Sequence, residues 1–151
     1  LAILAVERDG ELLPRVAGRL RLSNHEAKAA AWIHAGMAAL GRESAAALRA
    51  RKWSSLHPWL ADDRALALVD VLRARAGCGA GDAEAAVWLT AQAARPRAEL
   101  DPPPLVTGDD LLAAGVPPGR PVGAALARIR DLQLDGAIAT KAEAIATLGR
   151  G

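Results

Sequence analysis

The stretch LLAAGVPPGRPVGAAL, residues 111–126, constrains this chain more than any other. It places three glycines and three prolines between two apolar patterns of helical spacing. Proline ends helices by removing an N–H donor and by clashing with the preceding turn. Glycine supplies the backbone angles that other residues avoid. A second breaker-rich stretch, RPRAELDPPPLVTG, adds four more prolines, Pro96 and Pro102 to Pro104. The first stretch reads as two helices joined by a tight turn, and the second as a linker that marks a lobe boundary.

The residues between the breakers favour helix over strand. The 151-residue chain has no Phe and no Tyr, and its aromatics are Trp32, Trp53, Trp59 and Trp88. Its apolar share of 52% is therefore carried by Leu, Ala, Val and Ile. Alanine and leucine are strong helix formers. The expected fold class is all-α: a helical body over residues 1–95, a Pro-rich linker over 96–106 that forbids helix, and a small helical tail lobe over 107–151.

Helix starts can be placed from capping spacings. Ser23 stands three residues before Glu26, and the helix they open is expected to end at Gly41. An earlier short helix is expected over Leu12, Leu13, Val16, Leu20 and Leu22, with Pro14 in its first turn. Further helices are expected over about 43–56, broken before Pro58, over about 60–76, and over about 83–94 after an Asp82 cap. In the tail, Thr107 and Asp110 open a helix to about 114, and Gly115 occupies the position after it. The next helix is expected from Pro118 to Leu134, with Pro117 and Pro118 in its first turn. Thr140 and Glu143 open the last one, which runs to Leu148.

Charge is uneven. Residues 12–60 hold eight basic side chains (Arg15, Arg19, Arg21, Lys28, Arg42, Arg49, Arg51, Lys52) against Glu26 and Glu43, a local +6 on a chain of net +2. Such a stretch suits a polyanion or an acidic partner, but charge alone favours the plainer reading, a solvated helical face. The single Cys78 rules out an internal disulfide and every cysteine-based zinc pattern. His25, His34 and His57 lack metal-ligand spacing, and Asp62–Asp63 reads as a helix cap. No phosphate loop and no nucleophile elbow occurs. Neither a secretory signal nor a membrane-length apolar run is present, which makes a cytoplasmic location the default expectation. The sequence opens on LAILAV, like the middle of a helix, and is expected to be part of something longer.

The stretch 111–126 has the form of a miniature helix–hairpin–helix. Amide groups at the start of its second helix, together with the helix dipole, favour an anion such as a phosphate. Gly119 and Gly123 would let a ligand backbone approach closely, and Arg120 shares the first turn. Arg128 and Arg130 extend the positive charge. The alternative is structural: Gly115 only a cap, and Gly123 a seat for another helix.

The motifs TGDDLLAAGVPPGRPVGAAL, QLDGAIAT and AEAIATL, within residues 102–148, resemble the C-terminal part of bacterial tRNA nucleotidyltransferases, the CCA-adding enzymes and their poly(A) polymerase relatives. The spacing from Gly108 through Gly115 and Gly123 to Leu126 carries the resemblance. Upstream, LPRVAGRLRLSNHE and LRARKWSSLHPWLADDRALAL are similar to that family's body helices in pattern and order. The resemblance implies an all-helical body and tail that cradle tRNA on its acceptor and T-arm side. It implies a catalytic head elsewhere in the parent enzyme as a partner, with the carboxylate pair that binds magnesium. This sequence has no D-x-D pair and no nucleotide selector, so no catalytic residue and no cofactor are assigned to it. The residues expected to contact RNA are Arg49, Arg51, Lys52, Gly115, Gly119, Arg120, Gly123, Arg128 and Arg130. Arg120 rests on charge alone, because relatives vary there. Two rivals remain: a helix–hairpin–helix module for duplex DNA, and a helical scaffold with no nucleic acid.

Overall fold

The computed structural model describes Arg19, Arg21 and residues 23–148. The opening LAILAV, Arg15 and most of the helix expected over Leu12–Leu22 lie outside the described residues. Within them the fold is all-α, without a strand: α1 (Asn24–Leu40), α2 (Ala45–Ala50), α3 (Trp53–Leu60), α4 (Ala65–Gly77), α5 (Ala83–Ala93), α6 (Arg97–Leu100), α7 (Gly108–Ala113), α8 (Arg120–Leu134) and α9 (Lys141–Ala146).

The three capping spacings form as reciprocal boxes. At α1, α7 and α9 the Ser23, Thr107 and Thr140 hydroxyls accept from the amides of Glu26, Asp110 and Glu143, and those carboxylates accept from the cap amides. Asp82 caps α5 by accepting from the Ala85 amide at 2.8 Å, and its other oxygen lies 3.4 Å from the Ala45 amide at the start of α2.

Three expectations need correction. The helix expected over 43–56 is two helices, because Lys52 takes an extended backbone (φ −63°, ψ 141°) between α2 and α3. Pro58 does not break the pattern: it sits inside α3, whose Leu56 and Leu60 are buried, and the ladder resumes beyond it with Ala61 N–H donating to His57 O at 3.0 Å. Core burial on both sides outweighs the one hydrogen bond that proline cannot make. The 96–106 stretch is not helix-free: Pro96 serves as the N-cap of α6, where a missing N–H costs nothing. Leu100 and Val106 within that stretch are buried.

Contacts divide the chain into two units, neither contiguous in sequence. The first takes the residues up to Leu48 together with Asp63–Thr90, and the second takes Arg49–Asp62 together with Ala91 onward. In the first, α1 packs on α4, and Leu40, Leu48, Leu68, Val69 and Leu89 are almost fully buried. Arg64 lies over the Trp32 ring there, 4.4 Å from its centroid. In the second, α8 contacts α3 and α7. Its core joins Val106, Leu111, Ile129, Ile138 and Ala144. The basic stretch 12–60 is thereby split, with Lys28 and Arg42 in the first unit and Arg49, Arg51 and Lys52 in the second.

Candidate nucleic-acid interface

The turn between α7 and α8 forms as its glycines require. Gly115 N–H donates to Leu112 O and Val116 N–H to Leu111 O, both at 3.0 Å, while Gly115 takes φ +89°. This is a Schellman-type ending with glycine in the left-handed position. Pro117 and Pro118 precede α8 instead of filling its first turn. The reason is Gly119, the N-cap, whose φ +91° and ψ −136° lie in a region essentially reserved for glycine. That residue redirects the chain, so the helix begins at Arg120 with Pro121 as its second residue. No side chain caps this start, and the Gly123 N–H reaches Gly119 O only at 3.4 Å.

Gly123 distinguishes the two structural possibilities for the turn. A methyl group built on it meets nothing within 4 Å. By contrast, one on Gly41 would strike Met37 O at 2.6 Å. No other helix is seated on Gly123 among the described residues, so packing does not explain a glycine in the first turn of α8.

All nine residues expected to contact RNA fall in the second unit. Arg120, Gly123 and Arg128 are exposed along α8, with exposed Ala124 and Ala127 between them. The arginines are separated by about 12 Å along the axis at 1.5 Å per residue. Arg128 also rims an open groove of ≈ 450 Å³ beside Leu132, Ile138 and Glu143. Arg49 is exposed near the end of α2. Arg51 turns back on α3, its Nε donating to Ser55 Oγ at 3.1 Å. Lys52 extends into solvent with 80% of its side chain exposed, its Nζ 3.9 Å from Asp135 Oδ2.

Arg130 departs from this pattern. Its guanidinium donates to Asp101 Oδ1 at 2.5 Å, to Pro102 O at 2.7 Å and to Gln133 Oε1 at 2.9 Å. Gln133 in turn donates to Pro103 O at 2.8 Å. Arg130 thus holds the proline segment on α8, and its charge is engaged inside the unit.

Asp101 is the hub that sequence inspection missed. His57 Nε2 lies 2.9 Å from its Oδ1, and Arg97 donates to its Oδ2 at 3.2 Å. The His57 hydrogen bond, helped by the charges on Arg130 and Arg97, holds its carboxyl below the ordinary carboxylate range. Around it, Trp53 Nε1 donates to Leu100 O at 3.3 Å, and Arg97 donates to Ala61 O. These contacts tie α3 to α6 across 36–47 residues of sequence. No local pattern announces such a pairing. The Asp110 carboxyl is also lowered, to about 2, by the Lys141 ammonium and then by the Thr107 amide. The Lys141–Asp110 contact of 2.6 Å pins α9 to α7.

The described residues gather no group of three or more His, Cys, Asp or Glu side chains able to hold a metal ion. No helix among them is long and apolar enough to cross a membrane. Compared with protein-family models, curated proteins and solved structures, the chain gives no match.

Proposed function

We propose that this chain is the tRNA-holding portion of a cytoplasmic tRNA nucleotidyltransferase of the CCA-adding or poly(A) polymerase kind. In this reading nucleotide transfer and its magnesium belong to a head region of the parent enzyme. The part described above grips the tRNA backbone on its acceptor and T-arm side. The observation that supports it best is the joining of sequence-distant cations: Arg49–Lys52 and the α7–turn–α8 segment belong to one unit. Exposed Arg120 and Arg128 bracket a glycine on which nothing packs among the described residues. A-form RNA hides its bases in a deep, narrow groove, so backbone and shape are what such a surface can recognise.

Replacing Arg120 and Arg128 together by alanine tests this reading. The salt dependence of tRNA binding should fall by a slope of about two, one per phosphate contact. An unchanged affinity and slope would overturn it. The same turn geometry also suits duplex DNA, and that reading prevails if the chain binds a DNA duplex at least as tightly as tRNA.

A further inference from the structure

The start of α3 is held from the opposite end of α8. Lys52 is the N-cap residue of α3 and gives it no side-chain hydrogen bond. The acceptor comes from Asp135, the C-cap residue of α8, whose Oδ1 receives the Ser54 amide at 2.8 Å. Caps usually come from the residue next to the helix they serve. This one is drawn from 81 positions away.

The two oxygens of Asp135 do different things. Oδ1 satisfies a backbone donor that α3 leaves open, and a negative charge there complements the helix dipole. Oδ2 lies 3.9 Å from Lys52 Nζ, the outer limit of an ion pair, with the Asp135 side chain 15% exposed and that of Lys52 80% exposed. A pair this long and this wet is weak. Lys52 can therefore leave it for a phosphate while the cap stays intact. Arg128, the nearest exposed α8 cation of the proposed set, lies two turns back from Asp135, about 10 Å along the axis. The cap fixes where Lys52 stands relative to it.

We propose that Asp135 is the positioning residue of the RNA-contact surface: one oxygen sets the 51–52 cations at the end of α8, and the other holds Lys52 in a pair that an RNA phosphate displaces. The proposal rests on the RNA-binding reading above. It makes Asp135 a restraint on binding as well as a support, because its charge competes with the ligand for Lys52.

Two substitutions in the full chain separate these roles. D135N keeps an oxygen for the Ser54 amide and removes the charge. D135A removes both. Fluorescence titration with tRNA over a salt series reads binding, and amide hydrogen exchange at Ser54 without RNA reads the cap. For D135N, Ser54 exchange should accelerate by less than for D135A, because an oxygen is kept while the charge is lost, and tRNA affinity should rise about three-fold, the size of a weak surface pair released. Adding K52A should abolish that rise. For D135A, Ser54 exchange should accelerate about five-fold, as for a lost cap, and affinity should fall below that of D135N, which lacks the charge as well but keeps the cap oxygen. Weaker binding by D135N than by the unsubstituted chain, or D135A binding as tightly as D135N despite faster exchange, overturns the proposal. If the unsubstituted chain binds no tRNA, the RNA reading itself falls and takes the proposal with it. That result is distinct from a failure of the variants to separate.

Discussion

Gly123→Ala is the substitution whose outcome bears most directly on the turn. A glycine in a helix costs about 0.5–1 kcal/mol relative to alanine, chiefly through the freedom the unfolded chain loses. The added methyl meets no atom within 4 Å, and the position has no positive φ to forbid a side chain. No steric term opposes the gain. The variant should be more stable by about 0.5 kcal/mol, toward the low end because Gly123 lies in the first turn. For a chain of this size that is a rise of about 1–2 °C in thermal midpoint. If the glycine exists to admit an RNA backbone, the same methyl should weaken tRNA binding. Calorimetry and a tRNA titration on one preparation measure both effects. Lower stability would show that something packs on Gly123 after all. Higher stability with undiminished binding would refute close approach of a ligand there.

The companion position behaves oppositely: Gly115→Ala forces a side chain into φ +89° and should cost about 1–2 kcal/mol in a denaturant titration. Arg130→Ala breaks three charge-assisted contacts and should lower stability by about 2 kcal/mol, while changing the salt slope of RNA binding less than Arg128→Ala does. Acid should loosen the α7–α9 contact. The Asp110 carboxyl sits at about 2 in the folded chain and near 3.9 when unfolded. Its stabilisation is thus complete above the unfolded value and is lost as pH falls from about 4 toward 2. Asp110→Asn, which keeps a capping oxygen, should remove that part of the acid transition followed by circular dichroism.

What could be read in the sequence was what local chemistry decides. Ser23–Glu26, Thr107–Asp110 and Thr140–Glu143 each place donor and acceptor within one helical turn, and all three boxes form. Gly115 follows α7 as expected, because only glycine settles readily into that ending. Decisions taken at long range stayed hidden. The break at Lys52 is stabilised by Asp135, and Pro58 is tolerated because Leu56 and Leu60 are anchored in a core the helix does not itself create. At the candidate site, composition marked Arg128 and Arg130 alike as cations. Only the placement of Asp101 and Pro102 separates the exposed residue from the one bound inside the unit. Nothing local reveals that Arg49–Asp62 shares a unit with the C-terminal helices.

The most direct measurement of RNA binding is a fluorescence titration of the full chain with tRNA and with a DNA duplex of equal length, at about 50 and 200 mM salt. Binding that favours tRNA and weakens by an order of magnitude or more at the higher salt is the expected result, with four or so phosphate contacts shared between the 49–52 cations and α8. Equal or tighter binding to the duplex DNA, or binding indifferent to salt, would contradict it.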